Sequence, residues 1–455
     1  MKWLHLLSVV ACVTDEAYAF PSHLHGAVGH LTASRLSSVV DEAVRSAHEK
    51  RLLFDAGNEP IDVTGKHEFI PPDFEKGDQR GPCPGLNALA NHGYINRNGV
   101  TSLVETIGAI NKVYGMGIDL ATILATMGVV FVGNPLSLNP GFSIGSTAKA
   151  KGTDNILGNL VGLLGKPRGL VGSHNIIEGD SSNTRADLYV TGDASTMVMD
   201  QFQSFYDMAS DEEGTYDFDT FAERAKIRFR ETIATNPDFY YGPFTGMIAR
   251  NAGYFFACRM LSNHTKGSHE DIMGKFTTYT EAKDANHLDR ATLRSFFAVQ
   301  KEGDKLTYKR GWERIPTNWY RRSVDYGLID LNLDVISLIT KYPELGSIGG
   351  NMGEVNSYAG VDVSDITGGV LNLTKLLKGN NLLCFVFEVV KTVSPNSLSG
   401  LFSIVAPPLK LITDALGTAL LDLPCPAFKD LQVGGESFSK GIQKKFPGAK
   451  INASL

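Results

Sequence analysis

The chain has little of what would fix a function class at once. No block of like charges runs along it, and the formal net charge is -6, which argues against a nucleic-acid binder and for small-molecule partners. No membrane span is expected: the apolar region 398–423 is interrupted by Pro407, Pro408, Lys410 and Asp414 and reads as buried or amphipathic helix. No Gly-rich phosphate loop, zinc-type Cys/His spacing or Ser-His-Asp signature stands out. Internal repeats and low-complexity tracts are missing, and few segments alternate apolar and polar residues as strands do. Cysteine is scarce, with five in 455 residues. Cys12 lies in a leader-like segment, and Cys83, Cys258, Cys384 and Cys425 admit several pairings.

What is present is an ordinary globular balance, 43% hydrophobic and 20% charged, in a chain long enough for a large core. Residues 1–19 read as a secretory signal: Lys2, a short apolar stretch from Trp3 to Val13, and Ala17-Tyr18-Ala19 before Phe20. Asp15 and Glu16 are unusual there, and a buried N-terminal helix is the competing reading. Glycosylation sequons at Asn263, Asn372 and Asn452 accord with secretion. An entry segment, 20–66, holds an expected helix from Leu36 to Phe54 and then turns proline-rich. From Cys83 onward the 3–4 spacing of apolar residues predicts helices over 86–93, 100–114, 118–132, 185–208, 220–233, 244–261 and 290–297. The fold class expected is mainly α.

The informative segment is Gly81-Pro82-Cys83-Pro84-Gly85-Leu86-Asn87-Ala88-Leu89-Ala90-Asn91-His92-Gly93-Tyr94. Pro84 suits a first helical turn, where its missing N–H is no loss. Cys83 then sits at the helix start, with the free N–H groups of Leu86 and Asn87 expected to point at its sulfur. Those donors and the helix dipole favour thiolate, which can ligate haem iron. A buried structural cysteine between turn prolines is the plain alternative, and Pro424-Cys425-Pro426 shows how little Pro-Cys-Pro alone proves.

The block from Pro82 to Tyr94 resembles the proximal motif of the haem-thiolate peroxidases, the family of chloroperoxidase and the unspecific peroxygenases. A second block, Glu178-Gly179-Asp180-Ser181-Ser182-Asn183-Thr184-Arg185, resembles that family's Glu-Gly-Asp-x-Ser-x-Thr-Arg motif. The resemblance implies a single, mostly helical, secreted haem domain over 67–325 using hydrogen peroxide on a small organic substrate. It implies a heme b with Cys83 as iron ligand, flanked by Pro82, Pro84, Leu86 and Asn87. It also implies a Mg2+ or Mn2+ held by Glu178, the Gly179 carbonyl and Ser182, with Asp180 and Arg185 in support. Hard oxygen donors with few charges suit that ion. A helix N-cap at 180–182 is the plainer reading of the same residues. The C-terminal extension, 326–455, fits the family's longer members, in which a late pair such as Cys384 and Cys425 forms a disulfide. Such members occur in fungal secondary metabolism, so an aromatic or polyketide substrate is implied.

One part of the pattern breaks. Peroxygenases carry a distal Glu seven residues after an Arg, in a block that opens Asn-Pro-x-Phe. Here Asn236-Pro237-Asp238-Phe239 opens it, but Phe244 stands for the Arg and Asn251 for the Glu. No acidic residue occurs between Phe244 and His269. Asn251 can hydrogen-bond a peroxide but cannot relay its proton, and Arg250 stays charged. His174 is the candidate carrier, because it titrates near neutrality; a structural histidine is the alternative. The missing acid also keeps open a different class, a secreted haem-binding or interaction protein with weak peroxide turnover. His92 is read as a helix-end cap, Cys258 as an inert core thiol, and Ile315 to Arg322 as packing and ion pairs rather than a haem wall.

Overall fold

The computed structural model describes residues 59–134, 139–147, 167–209, 214–264, 288–322, 324–379, 381–392, 426–427 and 431–450. The expected signal, the helix over 36–54, Cys12, the apolar region 398–423, Cys425 and Asn452 lie outside them.

The fold is mainly α, as expected. Its principal helices are α1 (Pro84–Asn91), α2 (Leu103–Tyr114), α3 (Ile118–Met127), α4 (Met199–Tyr206), α5 (Phe218–Thr235), α6 (Asn251–Met260), α7 (Arg290–Phe296), α8 (Leu328–Lys341), α9 (Asn381–Thr392) and α10 (Phe438–Lys445). Small antiparallel sheets of two or three short strands lie between them. The three-stranded sheet pairs Tyr240–Tyr241 with Gly349–Gly350, and that with Ala359–Gly360, and so ties the entry to α6 to the C-terminal half.

Two expected helices are corrected. The run 100–114 begins as a strand: Val100–Ser102 pairs with Gly141–Ser143, and α2 starts only at Leu103. A capping box fixes the switch, since Ser102 accepts from the Glu105 N–H while Glu105 reaches back to the Ser102 N–H. The run 185–208 is broken into a single turn, Leu188–Thr191, and α4. Gly192 takes a left-handed φ of 76° and closes that turn. Two stretches expected as α-helix contain π-helical turns instead, Gly128–Val132 after α3 and Thr245–Arg250 before α6.

The core is aromatic-rich. Trp319 is fully buried and donates its indole N–H to the Leu261 carbonyl at 3.1 Å. It packs edge-on against Tyr114 and Phe296, at centroid distances of 6.1 and 5.6 Å. Tyr114 in turn donates its hydroxyl to the Gly85 carbonyl at 2.8 Å. The core thus buttresses the first turn of α1, where Cys83 sits.

Candidate active site

Cys83 is the N-cap of α1, in extended conformation, with Pro84 at the first helical position. Its side chain makes no capping hydrogen bond. The Asn87 N–H, expected to point at the sulfur, closes the first turn on the Cys83 carbonyl at 3.1 Å instead. Burial pushes the thiol up; the Leu86 and Gly85 N–H groups and the nearby Arg185 pull against this, and Glu313 adds to it. Pro82, Cys83, Pro84, Gly85 and Leu86 are all half-buried, whereas every residue from Asn87 to His92 is buried.

The loop before the cysteine is clamped. The Asn87 amide holds Gly81 from both sides, accepting its N–H at 2.9 Å and donating to its carbonyl at 3.0 Å. A methyl group on Gly81 would run into the Ile144 carbonyl, so no side chain fits there. Asn91 accepts from Arg80 and donates to the carbonyls of Gly311 and Glu313. His92 closes α1 as expected. Its Nε2 accepts from the Ile315 N–H at 3.1 Å, so Nδ1 carries the proton it gives to the His67 carbonyl at 2.7 Å. Burial pushes this imidazole down to about 4. Both of its ring nitrogens are used within the protein.

The second motif folds as a tight loop, not as a helix cap. The cap of the following turn is Asp187, and Asp187 accepts from the Ser181 N–H at 2.7 Å. Asp180 is buried, accepts from the Tyr240 N–H at 3.4 Å, and leaves Oδ1 without a partner. Ser181 is left-handed, with φ 65°. His174 binds Glu178 Oε2 through Nδ1 at 2.6 Å, and its Nε2 stands 3.9 Å from Asp180 Oδ1. Burial alone would depress this imidazole, but the Glu178 hydrogen bond and the charges of Glu178, Asp180 and Asp187 outweigh it and push it up to about 9. Ser182 Oγ accepts from the Arg185 N–H at 3.3 Å, and its carbonyl accepts from Arg228.

Arg250 joins this loop to the helix that carries the missing acid. It donates to the Ser181 carbonyl and hydroxyl, both at 2.9 Å, to the Ala225 carbonyl at 2.6 Å and to Asn251 Oδ1 at 2.7 Å. Asn251 is fully buried and spends both amide protons, on the Tyr241 hydroxyl at 2.8 Å and the Met247 carbonyl at 2.9 Å. Among the described residues His174 reaches Glu178 and Asp180, and no hydrogen bond joins it to Arg250 or Asn251.

The other expectations fall as follows. Cys384 is disulfide-bonded, and Cys258 is a buried free thiol pushed up by burial to about 12. Asn372 is exposed and caps the turn Leu373–Leu376, while Asn263 is half-buried and accepts from the Tyr320 N–H. Trp319 is packing, and Arg321 pairs with Asp325 at 3.2 Å. Sequence reading missed Glu313. This buried carboxylate accepts from Asn87 at 3.0 Å and stands 3.8 Å from Arg185. Nothing in the local pattern of Gly311-Trp312-Glu313 marks it, because its partners lie far away in sequence.

The residues fit the two groups the resemblance implies. A thiol at a helix N-terminus, in a partly open stretch of an otherwise buried helix, suits an iron ligand. The Glu178 oxygen that His174 leaves, the Gly179 carbonyl and Ser182 Oγ are hard oxygen donors with one charge, as suits a hydrated Mg2+. Among the described residues no group of three His, Cys, Asp or Glu side chains converges as a metal cage.

Residues 67–324 match the family described as "Peroxidase, family 2". The chain is 92% identical to aromatic peroxidase fscJ of Fusarium equiseti, over all of both chains. It is 35% identical to the dothistromin biosynthesis peroxidase dotB of Dothistroma septosporum, over 93% of this chain and 94% of that one. An aromatic peroxygenase of Cyclocybe aegerita is 30% identical over 50% of this chain and 54% of its own. The protein therefore belongs to peroxidase family 2 and is a haem-dependent oxidoreductase that acts on peroxide and an organic substrate.

Proposed function

We propose that Cys83 is the iron ligand and that the enzyme oxidises a small aromatic molecule of fungal secondary metabolism. The observation that carries the ligand assignment is the placement of Cys83 at the N-cap of α1, with Pro84 opening the helix directly after it. When bound, a thiolate-ligated haem supplies electron push toward cleavage of a peroxide O–O bond. The chain's part is to hold the sulfur, admit the two substrates and move a proton. The N-terminus of α1, whose dipole favours the thiolate, does the first. Glu178, Gly179 and Ser182 would hold a Mg2+ or Mn2+, which would offset negative charge there.

The proton is assigned to the His174–Glu178 pair. Asn251 has no proton to relay and no free N–H, and Arg250 is fully engaged as a cation. His174 is held by one nitrogen and keeps Nε2 without a hydrogen-bond partner. The names of the relatives, an aromatic peroxidase and a dothistromin biosynthesis peroxidase, support an aromatic substrate. Secretion with removal of residues 1–19, glycosylation at Asn263, Asn372 and Asn452, pairing of Cys384 with Cys425, and a haem domain over 67–325 followed by an extension belong to the same reading. They accord with the leader pattern and with the disulfide state of Cys384.

The test is the optical spectrum of the ferrous carbonyl-bound protein beside Cys83→Ala. A strongly red-shifted Soret band that the variant lacks is expected. A histidine-type spectrum, the same in both, removes Cys83 as ligand.

A further inference from the structure

Glu313 is a carboxylate only 1% exposed, and neither motif includes it. Its Oε1 accepts from Asn87 Nδ2 at 3.0 Å and stands 3.8 Å from the Arg185 guanidinium. Among the described residues its Oε2 has no hydrogen-bond partner, and neither has Arg185 Nε. A buried ion pair with orphaned atoms is a poor device for stability, since apolar residues of similar volume would pack there at lower cost. One of its contacts leads to Cys83. Asn87 is the residue that grips Gly81 from both sides, two positions before the cysteine. The Glu313 carbonyl accepts from Asn91 at 2.6 Å, which fixes this strap against α1.

We propose that Glu313 is a positioning residue for the iron ligand: through Asn87 it fixes the Gly81–Cys83 loop, and its charge, paired with Arg185, stands one side chain away from that loop. This rests on the reading of Cys83 as iron ligand.

Wild type and Cys83→Ala in the ferrous carbonyl state first decide that reading by themselves. Given thiolate ligation, Glu313→Gln keeps an acceptor for Asn87 and removes only the charge. Its carbonyl-bound Soret band is expected to stay at the thiolate position, while the midpoint potential of the haem shifts upward. Glu313→Ala removes the acceptor too, and part of its haem is expected to lose the thiolate band. Asn87→Ala should show the same loss, and the double variant should be no worse than either single one, because one chain of contacts is cut in each. Helical circular dichroism confirms that each variant is folded. A potential that stays put or falls in folded Glu313→Gln overturns the proposal whatever the Ala variants show. If the Gln variant does not fold, the cycle between Glu313→Ala and Asn87→Ala decides, and additive losses overturn it.

Discussion

At the scale of single residues, the buried polar side chains of α1 are bonded within the protein. His92 shows this best. Both nitrogens are bonded and the ring is neutral, with its titration moved from 6.5 to about 4. An unfolded chain takes up a proton on this ring first, so the contribution to stability is complete above about pH 6.5 and disappears as pH falls through about 4. Urea unfolding between pH 7 and 4 is expected to show this loss, and His92→Gln should flatten it. An identical pH slope in the variant would assign the acid sensitivity elsewhere. The sequence marks His92 as a helix end through Gly93, but only the fold brings His67 and Ile315 to its two nitrogens.

At the scale of elements, the π-helical turn Thr245–Arg250 explains what stands where the family's acid belongs. The turn leads into α6, and Arg250 and Asn251 lie at the junction, knotted to Ser181, Ala225, Tyr241 and Met247. A side chain that spends its donors on holding two segments together is structural. Asn251→Ala is therefore expected to destabilise the fold by about 1–3 kcal/mol, the penalty for leaving buried partners unsatisfied, with a smaller effect on the rate of reaction with peroxide. His174→Ala should do the reverse and slow the reaction with peroxide in folded, haem-loaded protein. Stopped-flow mixing with peroxide separates the two, and unchanged kinetics in His174→Ala would take this residue out of proton transfer. Helix periodicity was legible for α1, α5 and α7. It failed at Val100–Ser102 and around Gly192, where a cross-strand partner and a left-handed glycine override the local apolar spacing.

At the scale of the whole molecule, the C-terminal residues are part of the site's frame. Asn175, left-handed with φ 59°, donates to the carbonyls of Gly448 and Lys450 at 2.7 and 2.9 Å. It follows His174 directly, so the chain's last described residues brace the loop that holds Glu178. Gly448 lies against the Asp238 backbone too closely for any side chain, and Phe446 packs on Tyr240. Asn175→Ala loses both bonds and the side-chain amide that lets asparagine tolerate a left-handed conformation, which is expected to cost about 1–3 kcal/mol. It should also weaken Mg2+ binding, measured by calorimetry. Unaltered stability would show that the C-terminal segment merely rests on the loop.

The sequence by itself determined the chemistry-bearing positions. A proline after a cysteine sets a helix start at the sulfur, and hydrophobic periodicity sets most helices, because both act over a few residues. It also showed that no acid stands between Phe244 and His269, which is a matter of residue identity alone. The tertiary structure decided the partners: Glu313 behind Asn87, Arg250 on Ser181, and Lys450 on Asn175. These contacts join residues from 69 to 275 positions apart. Such bonds are set by how helices and loops pack, and no local pattern encodes them.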